Sequence, residues 1–181
     1  RVTLSGTAPM GYRKDVAQLA WLAARASTRK ERNVRIAITD VDYRADHAQA
    51  ACVVAEAWDA AAAVERRVTR VEPVAPYEPG AFYKRELPCL LAVLQTLDAP
   101  ADLVVVDGYV WLDAHERKGL GAHLHEALER RIPIVGVAKT SFAGSAFAVE
   151  VRRGESENPL YVTAVGFDAE AAAHQVARMH G

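Results

Sequence analysis

The sequence is poor in cysteine, has no long apolar run and carries almost no net charge. Its two cysteines, Cys52 and Cys89, lie within apolar stretches, so we expect buried free thiols rather than a disulfide or a metal-binding pair. No stretch approaches the ~20 apolar residues that a membrane-spanning helix requires, and no signal-peptide pattern opens the chain. We therefore expect a protein of the reducing cytoplasm that has no contact with a membrane.

The chain also lacks the short motifs of several enzyme classes. It contains no GxGxxG sequence, no Walker loop and no GxSxG elbow. These absences weaken one alternative function, that of a small nucleotide-binding enzyme or α/β hydrolase. The formal net charge of -1 neither favours nor excludes nucleic acid, because phosphate binding depends on where lysine and arginine lie. Basic side chains cluster within residues 29–32 and 66–70. They complement a helix end and protect a sheet edge, or they contact phosphate, and the sequence leaves both readings open.

Length and composition favour one globular domain. The chain has 181 residues, of which 51% are hydrophobic and 25% charged. A domain of this size buries roughly 70% of the surface that its unfolded chain exposes, so it needs no disulfide for stability. No linker, repeat or low-complexity block divides the sequence. We expect a single domain over residues 1–181, monomeric, in which residues 1–12 form a trimmed or poorly ordered end.

Hydrophobic periodicity predicts an α/β fold. Alternation and unbroken apolar runs indicate seven strands, at residues 34–40, 50–58, 64–74, 103–106, 134–138, 146–151 and 160–165. Helical spacing indicates four helices, at residues 13–28, 85–97, 121–131 and 169–179. Short links make the first three strands an antiparallel meander, and a right-handed crossover makes the strands at 103–106 and 134–138 parallel. The predicted architecture is a central mixed sheet flanked by helices.

Four charged residues lie where these elements meet turns or helix ends. Asp40, Asp107 and Lys139 each close an apolar strand, and Glu86 begins the helix at 85–97. Because parallel strands present their carboxyl ends at one edge of a sheet, Asp107 and Lys139 are expected to face a common cleft. Asp40 and Glu86 join them there if the first strand neighbours the strand at 103–106, with the helix at 85–97 above. Each also has a structural explanation: Asp40 as a loop cap, Asp107 in a turn, Glu86 at a helix dipole, Lys139 as a solvated strand end. Their joint occurrence at one edge favours chemistry.

Converging carboxylates are typical of divalent-metal sites that cleave phosphodiesters. The attacking and departing oxygens both carry negative charge, and two Mg²⁺ or Mn²⁺ ions about 3.5–4 Å apart stabilise both. Asp and Glu provide the hard oxygen ligands that these metals prefer. Asp40, Glu86 and Asp107 are the candidate ligands, and Lys139 is the candidate for orienting water or neutralising the phosphate. The sequence therefore predicts a nuclease-type metal site.

Several short motifs then occur in a recognisable order. They are Asp40 with Val41 and Tyr43, the stretch Pro76-Tyr77-Glu78-Pro79-Gly80, Arg85-Glu86-Leu87-Pro88, Val105-Val106-Asp107-Gly108, Gly136-Val137-Ala138-Lys139 and Asn158-Pro159-Leu160-Tyr161. In order and spacing they resemble endonuclease V from about residue 34 to residue 179. The resemblance implies a ribonuclease H-like fold and Mg²⁺- or Mn²⁺-dependent cleavage of DNA or RNA near a deaminated base, usually inosine. In that family the nick falls at the second phosphodiester on the 3′ side of the lesion.

The resemblance also implies roles for individual residues. Asp40, Glu86 and Asp107 match the family's metal-binding acids, and Lys139 matches its active-site lysine. Tyr77 matches the aromatic residue of a strand-separating wedge, and flanking prolines would stiffen that loop so that the ring compensates for the extruded base. The remaining candidates for contact with nucleic acid are Pro76, Pro79, Gly80, Gly108 and His115. His115 is equally well read as a solvated loop residue.

The chain departs from the family pattern at three places. Tyr109 and Val110 follow Asp-Gly, where the family usually has His-Gly, and Thr140 stands where the family has a second lysine. The family's late Gly-His-Arg is replaced by a sequence that ends in Asp168. Asp168 is expected either to supply a fourth metal ligand or to cap the last helix, and the two readings are even. The binding-only alternative is a degenerate relative that docks nucleic acid without cutting it.

Overall fold

The computed structural model describes residues 34–141 and 147–180. The predicted first helix, residues 1–12 and the predicted start of the sixth strand at Ala146 lie outside these residues. Within them, no helix is long and apolar enough to cross a lipid bilayer. Cys52 and Cys89 are buried free thiols, as expected.

Seven strands in the described part of the chain form one mixed sheet. They are β1 (Ile36–Tyr43), β2 (Ala48–Ala55), β3 (Glu65–Val71), β4 (Leu103–Asp107), β5 (Ile134–Ala138), β6 (Val149–Val151) and β7 (Leu160–Val165). The order across the sheet is β3-β2-β1-β4-β5-β7-β6. β1, β2 and β3 form the antiparallel meander, β1, β4 and β5 run parallel, and β7 returns antiparallel to β5. The predicted mixed α/β sheet is confirmed.

Three helices of the described residues cover the two faces of this sheet. Two of them, α1 (Tyr83–Leu94) and α2 (Leu120–Ala127), pack on one face, which we call face A. The third, α3 (Ala169–Arg178), packs on the opposite face, face B, beside β6 and β7. Side chains of a strand alternate between faces, so each strand contributes to both cores. In β4, for example, Val104 and Val106 point to face A, and Leu103 and Val105 point to face B.

The first strand extends three residues beyond the predicted end at Asp40. The sequence predicts that the apolar strand ends at Asp40, with Asp40 as a candidate cap of the loop to Tyr43. In the structure, Val41 and Tyr43 continue the alternation and pack against the face A core, and pairing with β2 runs to Tyr43 opposite Ala48. Asp40 therefore lies within a strand, and its side chain leaves the sheet on face B.

Helix α1 starts two residues earlier than predicted. Tyr83 is its first residue, and Phe82 precedes it without a capping side-chain hydrogen bond. Pro88 consequently falls in the second turn rather than the first, where it removes one backbone hydrogen bond. Glu86 remains in the first turn, where the helix dipole favours a carboxylate. Because the helix lacks a capping signal in its sequence, its start was hard to predict.

The end of the sheet at which β1 begins is closed by a cluster of ion pairs. Glu65, at the start of β3, accepts hydrogen bonds from Arg35 and from the backbone N–H of Asp98, and it pairs with Arg67 at 2.8 Å. Arg67 also pairs with Asp98 at 2.7 Å. β3 is an edge strand, as the sequence predicted. Through its pair with Asp98, Arg67 thus connects this edge strand to the loop after α1.

Candidate active site

Strand register places Asp40 and Asp107 side by side. The parallel pairing of β1 with β4 ends at Thr39 opposite Val106, and the next residue on each strand is the aspartate. Residues opposite each other in parallel strands point to the same face, and both aspartates follow the face B alternation. Asp40 and Asp107 are 67 positions apart in the chain, as are Thr39 and Val106. The same register therefore places the two carboxylates together at one edge of the sheet.

Lys139 joins this pair from the next strand. Asp107 lies opposite Val137 of β5, and Lys139 follows two residues later on the same face. Its Nζ donates a hydrogen bond of 2.8 Å to Oδ2 of Asp107. This hydrogen bond and the charge of Asp107, with a further contribution from Asp40, raise the pKa of Lys139. The lysine thus stays charged beside the acids.

Glu86 approaches the same edge from the opposite face. It is 4% exposed, and its Oε2 accepts a hydrogen bond of 3.0 Å from the Tyr43 hydroxyl. Burial, with smaller contributions from the charges of Asp40 and Asp107, raises the pKa of Glu86 to about 7, although the Tyr43 hydrogen bond works against the rise. The three acids are therefore close enough to repel one another. Such repulsion at a buried carboxylate is typical of a functional site rather than a stabilising contact.

Two residues that sequence reasoning did not assign to the site support Glu86. Tyr43 lies on face A of β1, and burial beside Glu86 raises the pKa of its hydroxyl, so the phenol remains a hydrogen-bond donor. The Arg85 guanidinium stacks 3.8 Å from the centre of the Tyr43 ring, and Phe82 contacts that ring edge-on at 6.5 Å. The signal in the sequence was only the alternation that places Tyr43 on the face of α1. Its partner lies 43 residues away.

The donor chemistry of the edge fits a divalent cation, although the side chains do not converge as they stand. Asp40, Glu86 and Asp107 offer hard oxygen ligands, and their mutual repulsion is what a cation would relieve. In the described residues, however, no group of three His, Cys, Asp or Glu side chains is arranged to hold a metal ion. One oxygen of Asp107 is bonded to Lys139 and one of Glu86 to Tyr43.

The Pro76–Gly80 loop forms an ordered turn that leads into α1. The Ala81 N–H donates to the Glu78 carbonyl at 3.0 Å, with Gly80 at φ +77°, the left-handed conformation that glycine adopts readily. Lys84 in the first turn of α1 pairs with Glu78 at 2.7 Å. Tyr77 is 62% exposed. The loop is therefore tied to the helix that carries Glu86, and the ring of Tyr77 is free to contact a ligand.

Asp168 lies at the opposite end of the sheet from the other predicted ligands. β7 runs antiparallel to β5, so Tyr161 lies opposite Ala138, next to Lys139, and Val165 lies opposite Ile134 at the far end. Asp168 follows Val165 and accepts a hydrogen bond of 2.8 Å from the Ala171 N–H. The capping role is the one that the structure shows. Its position does not agree with the predicted fourth ligand, and we leave Asp168 out of the metal site.

The other predicted contacts with nucleic acid, Gly108 and His115, both lie in the connection between β4 and α2. Gly108 leaves β4 at φ +138°, and its N–H donates to the Val137 carbonyl at 3.0 Å. His115 is exposed, and its N–H donates to the Asp113 carboxylate at 2.9 Å in the loop before α2. The structure gives His115 no bond to the three acids. Its role as a nucleic-acid contact stays a prediction.

Comparison with known sequences identifies related proteins. A sequence profile of the Endonuclease V family matches residues 17–177. Endonuclease V of Streptomyces coelicolor is 38% identical over 130 residues, which cover 70% of this chain and 53% of the relative. Endonuclease V of Xanthomonas axonopodis pv. citri is 39% identical over 92 residues, which cover 51% of this chain and 38% of the relative. The chain thus spans about half, or less, of the length of these curated relatives.

Solved structures agree with the sequence comparison. The crystal structure of endonuclease V from Streptomyces avermitilis superposes with a TM-score of 0.60 at 27% identity, over 86% of this chain and 82% of that chain. Human ENDOV superposes with a TM-score of 0.60 at 20% identity, over 88% and 93% of the two chains, and at that identity it supports the fold alone.

Proposed function

Because the chain belongs to the endonuclease V family, we propose that it is an endonuclease that hydrolyses a phosphodiester bond near deaminated bases in DNA or RNA. Inosine is the proposed lesion, Mg²⁺ or Mn²⁺ the proposed cofactor, nucleic-acid repair or processing the role, and the cytoplasm the location. These finer points come from the family resemblance together with the acidic edge of the sheet.

One observation supports the proposal more than any other. Asp40, Glu86 and Asp107 come from three different elements, and burial of Glu86, together with the charges of Asp40 and Asp107, raises the pKa of Glu86 to about 7. Like charges next to a buried carboxylate lower the stability of the fold, so their placement needs another reason. A cation bound at this edge would supply one.

The chain's own residues then have distinct tasks. Asp40, Glu86 and Asp107 would hold the metal, which when bound would stabilise negative charge on the phosphate oxygens. Tyr43 keeps the Glu86 carboxylate oriented through its 3.0 Å hydrogen bond. Lys139, charged and 76% exposed, can reach the phosphate or an attacking water from beside Asp107. Tyr77 would insert beside the lesion and stack on a neighbouring base.

A cleavage assay across metal conditions tests the proposal. Labelled inosine-containing DNA and RNA are incubated with the protein in Mg²⁺, in Mn²⁺ and in chelator. Asp40→Asn and Asp107→Asn are expected to lower the cleavage rate by roughly 10²–10³-fold, since each removes a group that acts on charge in the transition state. Asp42→Asn is the matched control, because Asp42 lies two residues along the same strand face and pairs with Arg44 at the surface.

The outcomes separate the candidate functions. Cleavage that persists in chelator, or in both aspartate variants, contradicts the metal site. Tight binding without cleavage in any metal supports the binding-only relative instead. Loss of activity in Asp42→Asn as well would show that the effect is not specific to the proposed ligands.

The wedge role of Tyr77 is tested separately. Tyr77→Ala should reduce discrimination between inosine-containing duplex and unmodified duplex more than it reduces cutting of an unstructured inosine strand, because only the duplex requires a base to leave the stack. An equal loss of cutting on both substrates would contradict the wedge role of Tyr77.

A further inference from the structure

The segment after Asp107 crosses the next strand and fastens to the one beyond it. Gly136 of β5 leaves room for this crossing, because a Cβ there would collide with the Gly108 carbonyl oxygen. The Val110 N–H then donates to Oγ1 of the buried Thr163 at 2.8 Å, and the Trp111 ring N–H donates to the Ala164 carbonyl at 3.1 Å. Residues 108–111, which we call the strap, thus lie across β5 and bond to β7.

Tyr109 is the strap residue that points along β5 toward its end. Its ring is buried, and its hydroxyl donates a hydrogen bond of 2.8 Å to the Thr140 carbonyl. Thr140 directly follows Lys139. Tyr109, two residues after Asp107, is therefore hydrogen-bonded to Thr140, one residue after Lys139.

The Asp107–Lys139 pair needs such support from the backbone. The Lys139 side chain is 76% exposed and that of Asp107 40% exposed. An exposed lysine has four flexible side-chain bonds, and exposed ion pairs hold their geometry weakly because side-chain entropy opposes them. The position of the ammonium therefore depends on how firmly the end of β5 is held.

We propose that Tyr109 is a positioning residue, whose hydroxyl fixes the end of β5 so that Lys139 stays against Asp107. The inference deepens the proposed function and rests on it for its catalytic consequence. The simpler alternative is that the Tyr109 ring only fills space. Tyr109→Phe distinguishes the two, since it keeps the ring and removes only the hydroxyl.

The kinetic test compares Tyr109→Phe with the wild type on inosine-containing DNA. We expect kcat to fall roughly 10-fold, with KM within twofold, as for other groups that orient a catalytic side chain. Lys139→Ala provides the second background. If Tyr109 acts through the lysine, Tyr109→Phe causes no further loss there. Tyr161→Phe is the matched control, because Tyr161 lies opposite Ala138 and its hydroxyl makes no hydrogen bond to the described residues.

A second readout needs no cleavage. The rate at which a water-soluble amine reagent labels Lys139 is followed by peptide mass spectrometry, and it should rise at least threefold in Tyr109→Phe, as it should in Asp107→Asn. Lys84, which pairs with Glu78 in a different loop, serves as the internal reference.

Unchanged labelling in Tyr109→Phe, or equal losses of kcat with and without Lys139, would overturn the positioning role. A wild-type protein that cuts nothing would instead refute the proposed function, and the labelling result would still decide whether Tyr109 holds the lysine.

Discussion

Two buried glutamates at opposite ends of the sheet have opposite electrostatics. Glu65 is 8% exposed and accepts hydrogen bonds from Arg35 and the Asp98 N–H, which lower its pKa. Glu86 is 4% exposed, has only the Tyr43 hydroxyl as a hydrogen-bond donor among the described residues, and its pKa rises to about 7. The end of the sheet at Glu65, which we call the paired end, stabilises the fold. The end at Glu86, which we call the unpaired end, lowers the stability of the fold, as is typical of a site that binds a further charge.

Breaking the paired end should give the largest effect on stability. Glu65→Gln is expected to lower the free energy of unfolding by about 3 kcal/mol, at the lower limit for breaking a buried ion pair, because Arg67 keeps a surface partner. Chemical denaturation followed by circular dichroism measures the change. Glu72→Gln is the control, since Glu72 pairs with Arg70 at the exposed edge of the sheet. Equal stability of the two variants would remove the contrast.

Neutralising the unpaired end should have the opposite sign and depend on pH. Between the unfolded pKa of 4.5 and the folded pKa of about 7, the folded state binds more protons at Glu86 than the unfolded state does. Stability from this group is therefore lost as the pH rises through that window. In chelator at pH 8, Glu86→Gln should be more stable than the wild type by up to roughly 3 kcal/mol, from the size of the pKa shift.

The same comparison at pH 4.5 gives the check. The advantage of Glu86→Gln should shrink there, because Glu86 is then largely neutral in the folded protein. Glu65 has a lowered pKa, so its contribution is present above its unfolded pKa and lost as the pH falls. A stability difference between Glu86→Gln and the wild type that does not change with pH would contradict the electrostatic account.

Metal ions should stabilise the protein through the unpaired end. At ten times Kd, Mn²⁺ is expected to raise the free energy of unfolding by about 1.4 kcal/mol, because only the folded state presents the acids together. Thermal unfolding with and without Mn²⁺ measures this gain. It should be absent in a variant carrying both Asp40→Asn and Asp107→Asn and retained in Glu65→Gln. The same gain in the double variant would mean that the ion binds elsewhere.

The smallest effect on stability is expected at Asp168, at the paired end of the sheet. Asp168→Ala should lower stability by about 1 kcal/mol, the usual contribution of a helix N-cap, and Asp168→Ser should restore most of it. Cleavage by Asp168→Ala should show an unchanged dependence on Mg²⁺ concentration. A shifted dependence would return Asp168 to the list of metal ligands.

Local pattern predicted some elements closely and misplaced others. β5 and β7 match their predicted bounds, because unbroken apolar runs end abruptly in polar or turn residues. β1 was predicted too short, since the predicted strand ends at Asp40, whereas pairing with β2 continues the strand to Tyr43. α1 begins before its apolar stripe, because packing against β1 and β2, rather than a cap, starts it.

The amino-acid sequence by itself determined that Asp40 and Asp107 lie toward the carboxyl ends of two apolar strands, because the apolar runs fix those strands. That the two strands are parallel neighbours is seen in the structure. The sequence also carried the family's motifs in order. Tertiary structure alone decided the rest. The contact of Tyr43 with Glu86 and the bond from Tyr109 to Thr140 join distant parts of the chain. The antiparallel return of β7 carries Asp168 to the far end. Local periodicity does not determine the distances through space that set charge repulsion and pKa values.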